Sequence, residues 1–187
     1  MKTALLSFDC PFAIVLWTTL LVVGCGDPAQ QSQEVMVGSH LLISHPVSQA
    51  SEAELFKGEP VTIEPSEEFY LEYALGSGDD GYDILKVHGD GASLYTYWDK
   101  GAEKLRQKKE EFTLDADQVK AICDKINQSQ IVTLGDEYLA DVPSGKQIAL
   151  TIVSGDYEKE VYCDSHFPPP VVELANYLEV SVIPKKE

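Results

Sequence analysis

Basic side chains are scarce in this sequence: 14 Lys and Arg stand against 31 Asp and Glu, for a net charge of −17. Such a balance repels polyanions, which argues against nucleic acid or a bare anionic membrane surface as a partner. It fits a cationic partner, metal ions or simple solubility. The chain also lacks the local patterns that mark common chemistries. It has no Cys-x-x-Cys, no zinc-type His-Glu-x-x-His and no Gly-x-Ser-x-Gly nucleophile turn. His40, His45, His88 and His166 are scattered without metal-ligand spacing, so neither a metal nor a cofactor is expected. A spanning helix needs roughly 20 apolar residues; the run from Ala13 to Val23 stops well short of that.

That short run is informative for another reason. Lys2 supplies a positive start, Ala13 to Val23 an apolar stretch, and Val22-Val23-Gly24-Cys25 a small-residue ending. A signal peptidase needs small side chains beside the bond it cuts, and Gly24 meets that need. The segment resembles the lipobox signals of bacterial lipoproteins. The resemblance implies that residues 1–24 are removed as a signal peptide. Cys25 then carries the acyl chains (palmitate and its kin) and holds the protein to a membrane outside the cytoplasm. Gly26 stands where an Asp would be read as inner-membrane retention, which favours the outer membrane where the host has one. The competing reading is a secretory signal cleaved without lipid. Loss of residues 1–24 removes Lys2 and Asp9 together, so the net charge stays at −17.

The cysteines divide by position. Cys10 leaves with the signal and Cys25 takes lipid, so Cys123 and Cys163 remain. In an oxidising compartment a leftover pair reads first as a disulfide, with two buried free thiols as the alternative. The bridge would close a loop of roughly 40 residues, worth about 4 kcal/mol in the chain-entropy model.

Residues 25–60 read as a lipidated tether and an irregular lead-in, with Val35 to Ile43 as an edge strand, and the folded domain is expected over 61–187. Phe69 to Leu75, Tyr82 to Val87 and Ala92 to Trp98 have strand composition, the last two joined by an Asp90-Gly91 hairpin turn. Asp99 to Glu111 is compatible with either a strand or a short charged helix. Asp115 and Gln118 form a capping box for a helix whose inner face carries Val119, Ile122, Cys123 and Ile126. Gln147 to Val153 and Tyr157 to Cys163 read as a second hairpin. Pro168-Pro169-Pro170 opens a last helix with Val171, Leu174, Ala175 and Leu178 as its buried stripe. The expected fold is a single α+β domain, an antiparallel sheet with two helices packed on one face.

Candidate chemistry is sparse. The acidic loop Asp79-Asp80-Gly81-Tyr82-Asp83 lacks the spacing of a calcium loop and reads better as a solvated turn. Asp164, Ser165 and His166 adjoin in sequence, which is not the geometry of a catalytic triad. The basic run Lys100, Lys104, Arg106, Lys108 and Lys109 is interleaved with acids and reads as a solvated face. Tyr95, Tyr97 and Trp98 remain as candidates for a binding face, Tyr and Trp being good anchors when a rigid sheet presents them. Core packing is the competing role for such rings.

From Phe69 to Leu178 the chain also resembles a family of small bacterial secreted and lipoprotein domains with no established activity. The likeness rests on Gly89-Asp90-Gly91, the Leu114-Asp115 helix start and the proline-led last helix. Members often carry a cysteine in the first strand, absent here between Phe69 and Tyr82. The resemblance implies a fold and no site residues. The expected role is a lipid-anchored extracytoplasmic module that binds a protein or another envelope component. An acidic inhibitor of a cationic extracytoplasmic enzyme is the first alternative, and a hydrolase whose residues converge only in three dimensions is the second.

Overall fold

Alternation of apolar and polar side chains along successive strands builds most of this protein. The computed structural model describes residues 32–44, 55–99, 106–141 and 145–185. The expected signal peptide, Cys25, and the basic residues Lys100 and Lys104 lie outside them. Among the described residues, no helix is long and apolar enough to cross a membrane.

The described residues open with a small hairpin, β1 (Gln33–Val37) and β2 (His40–Ser44), which forms a two-stranded sheet of its own. A seven-stranded sheet follows: β3 (Phe69–Ser77), β4 (Gly81–His88), β5 (Ala92–Asp99), β6 (Arg106–Thr113), β7 (Glu137–Leu139), β8 (Gln147–Ser154) and β9 (Tyr157–Asp164). The spatial order is β6-β5-β4-β3-β8-β9-β7, antiparallel throughout except that β7 runs parallel to β9. Two helices complete the domain, α1 (Ala116–Ser129) and α2 (Pro169–Tyr177). The result is a sheet-rich single domain with two helices and a mostly antiparallel sheet.

Register puts Leu71 opposite Val87 and Ile152, and Tyr73 opposite Leu85 and Leu150. Leu150 pairs in turn with Val161, and Leu85 with Tyr95. These side chains therefore share one face of the sheet, and all are buried. Period-2 alternation makes that face by itself. Helix α1 starts at the expected capping box: Asp115 Oδ1 accepts the Gln118 N–H at 2.8 Å, and Gln118 Oε1 accepts the Asp115 N–H at 2.9 Å. Its buried residues include Val119, Ile122, Cys123 and Ile126. In α2, Pro sits in the first turn where its missing N–H costs nothing, and Val171, Leu174 and Ala175 are each 0% exposed.

Three features differ from the sequence reading. The stretch from Val35 to Ile43 is a hairpin rather than one edge strand, and it lies within the segment read as tether and lead-in. Val37 and Leu42 are fully buried and join the same core cluster as the sheet and helix residues. Arg106–Thr113, ambiguous in sequence, is strand β6, because its backbone completes the free edge of β5. Strand β7 had no sequence signal, being three residues long and held by pairing with β9.

The approach to β3 is strapped down by side chains. Asn127 Oδ1 accepts the Ile63 N–H at 2.8 Å and its Nδ2 donates to the Ile63 carbonyl at 2.9 Å. Tyr138 Oη accepts the Gly135 N–H at 2.7 Å and donates to the Leu55 carbonyl at 2.6 Å.

Candidate functional site

The β3–β4 turn and the end of β5 enclose a cleft of about 310 Å³, lined by Asp80, Asp83, Tyr97, Trp98, Asp99 and Lys108, with Lys146 and the hairpin residue His40. Local backbone chemistry sets its shape. Gly81 holds φ +77°, a left-handed conformation natural to glycine, and a Cβ there would lie 2.5 Å from Trp98 Nε1. Trp98 thus lies directly against the turn because residue 81 has no side chain.

Asp83 is the organising group. Its Oδ1 accepts the Trp98 N–H at 3.0 Å and its Oδ2 accepts the Tyr95 hydroxyl at 3.3 Å. Burial first, and then the negative charges of Asp83 and Glu179, raise the Tyr95 pKa far above that of an ordinary phenol. Tyr95 consequently stays a neutral donor and fixes Asp83, which fixes the Trp98 backbone. Tyr97 stacks on Tyr95 with ring centroids 5.2 Å apart and planes 22° apart. At the rim, Lys108 pairs with Asp99 at 2.6 Å. The cleft therefore offers two half-buried aromatic rings between carboxylates and ammonium groups, a lining suited to binding an amphipathic or zwitterionic group.

The three aromatic candidates separate here. Tyr95 is 2% exposed and belongs to the core, which corrects its reading as a binding anchor: it faces inward with Leu85, its pairing partner. Tyr97 and Trp98 are half-buried and line the cleft from opposite sides of the strand. Asp83 was visible only as a member of an acidic loop, and nothing in the sequence marked His40 or Lys146. Their approach to the cleft is tertiary.

On the opposite face of the sheet, Tyr82 crosses above Gly76 and donates its hydroxyl to Gln147 Oε1. Gln147 Nε2 reaches Asp164 Oδ2 at 3.0 Å, and Ser165 Oγ donates to Asp164 Oδ1 at 2.8 Å. Ser165 is 0% exposed, so this hydroxyl is a structural donor and not a presented nucleophile. Among the described residues, no three His, Cys, Asp or Glu side chains converge as a metal site requires.

Cys123 and Cys163 are both buried and both free thiols in the structure. Burial raises both pKa values, that of Cys123 to about 11. Burial thus favours the neutral thiol at both positions near neutral pH.

No protein-family model matches the chain, and no curated protein matches its sequence.

Proposed function

We propose that this chain is a lipoprotein of the cell envelope, anchored through Cys25, whose domain binds a partner or envelope component in the cleft beside Trp98. The lipobox-like Val22-Val23-Gly24-Cys25 supports the anchor. The observation that carries the binding role is the cleft itself: Tyr97 and Trp98 lie together between Asp83, Asp99, Lys108 and Lys146. In the same reading both helices cover the apolar face of the sheet. Their buried residues belong to one cluster with that face, whereas the other face carries Tyr70, Glu72 and Lys86.

Two experiments test this. The unreduced intact mass of the protein from its host's membranes should equal residues 25–187 plus acyl chains; a mass without lipid removes the anchor. For binding, Trp98 is the one tryptophan left once Trp17 departs with the signal, so its emission reports the cleft directly. Titration with soluble fractions of the host envelope should change that emission, and Tyr97→Ala should weaken the response about tenfold, a hot-spot loss of ~1.4 kcal/mol. An unchanged emission across all fractions sinks the cleft as the site.

The net charge of −17 favours a second reading, an acidic inhibitor steered to a cationic extracytoplasmic enzyme. Salt separates the two. Steered association weakens steeply as ionic strength rises, and recognition by the aromatic cleft does not.

A further inference from the structure

Hairpin β1–β2 has two apolar faces, and the domain covers only one of them. Val37 and Leu42 point inward and are 0% exposed. The outward face holds Met36 and Leu41, which pair directly, and Ile43, with exposures of 53%, 46% and 36%. These are three of the six large apolar side chains exposed among the described residues. The hairpin is also held firmly. The Gly38 N–H donates to Asn176 Oδ1 at 3.1 Å, and the Glu179 side chain closes so tightly on Gly38 that a Cβ there would lie 2.7 Å from it. An exposed apolar patch on a hairpin whose inner side is fixed is built to be covered.

We propose that this outer face is a membrane-docking surface, resting Met36, Leu41 and Ile43 on the lipid bilayer to which Cys25 is attached. The inference rests on the lipid anchor proposed above and adds an orientation to it. The argument is one of reach. Gln33 follows Cys25 by eight residues. That length of chain spans at most about 29 Å. Strand β1, five residues long, itself extends about 17 Å. The hairpin therefore cannot leave the neighbourhood of the membrane surface when Cys25 is acylated, and its exposed face is apolar. The acyl chains supply the affinity; the patch sets which way the domain faces. Glu34, opposite Ile43 on the same face, and the net charge of −17 select a zwitterionic surface over an anionic one.

The test uses full-length lipidated protein on phosphatidylcholine vesicles, with an environment-sensitive fluorophore at Leu41→Cys and, as a control, at Glu158→Cys on exposed β9. Docking predicts blue-shifted emission at position 41, roughly threefold brighter than for the lipid-free Cys25→Ser protein, and no change at 158, as for side chains seated at the headgroup boundary. A second readout needs no label. Met36 is the one methionine once Met1 leaves with the signal, and hydroxyl radicals should oxidise it roughly threefold more slowly on vesicles. Protein that floats with the vesicles while both probes remain water-like keeps the anchor and overturns the docking. Protein from the host that carries no lipid and does not float overturns both. A probe equally shifted in the lipid-free protein means that another copy or another part of the chain covers the face, and overturns the proposal.

Discussion

Replacing Gly81 by Ala couples the stability of the β3–β4 turn to the shape of the cleft, and its cost can be worked from two terms. The first is conformational: at φ +77° an L-residue is disfavoured by about 1–2 kcal/mol. The second is steric. The new Cβ would lie 2.5 Å from Trp98 Nε1 and 3.0 Å from Cε2, so the indole must retreat by roughly 1 Å to reach ordinary contact. The indole edge can shift where backbone could not, and the total should be about 2–3 kcal/mol. Two neighbours calibrate it. A Cβ on Gly76 would meet the Gly81 carbonyl oxygen at 2.1 Å, with no side chain to give way, so Gly76→Ala should cost more than Gly81→Ala. A Cβ on Gly78 meets nothing within 4 Å, and Gly78→Ala should be neutral or stabilising by up to ~1 kcal/mol. Urea unfolding of the three variants gives the order, and Trp98 emission shows whether the indole moves. If Gly81→Ala matches Gly78→Ala in stability, or leaves Trp98 emission unchanged, the account of the cleft wall is wrong.

Other consequences are as direct. Asn127→Ala removes both bonds to Ile63 and strands two backbone groups beside a residue only 1% exposed, and should cost about 2–3 kcal/mol in chemical denaturation. Asn127→Asp keeps the acceptor but faces the Ile63 carbonyl with a carboxylate, so it should be no better than Ala; a milder effect would refute the two-bond strap. Cys123 and Cys163 should resist a thiol reagent at neutral pH in the native state and react together on unfolding; if neither reacts in the unfolded chain without reductant, the two are bridged. Burial raises the Glu72 pKa, but hydrogen bonds from Tyr70 and Lys86 and the Lys86 charge outweigh it and leave the carboxyl below its usual range. A depressed carboxyl stabilises the fold above its unfolded pKa, and that contribution disappears as pH falls through the folded value. Lys86→Met should therefore cost about 0.5 kcal/mol at pH 7 and less as pH falls below the usual carboxylate range, and a loss independent of pH would count against it.

Local physics made much of the fold legible. The capping box at Asp115 and Gln118, the Asp90-Gly91 turn and the stripe of Val171, Leu174, Ala175 and Leu178 depend on residues a few positions apart. Their signals survive in sequence because the interactions are themselves local. Alternation in Gln147–Val153 likewise shows which side chains share a face. It cannot show which strand will be the neighbour. The order β6-β5-β4-β3-β8-β9-β7 and the parallel β7 are settled by pairing between distant segments. Arg106–Thr113 became a strand for the same reason: its charged residues carry no clear period, and the open edge of β5 decided the matter.

The sequence by itself determined the charge, the positions of both helices and the apolar face of strands that alternate, such as Gln147–Ser154, because each follows from composition or short-range periodicity. Tertiary structure alone decided that Tyr95 is core while Tyr97 and Trp98 line a cleft: Tyr95 and Tyr97 share one face of β5, and only what packs over that face covers the first and leaves the second half-buried. It also decided that Asp83, Lys108, Lys146 and His40 meet there, contributed by strands and turns up to about a hundred residues apart along a chain that only pairing and burial bring together.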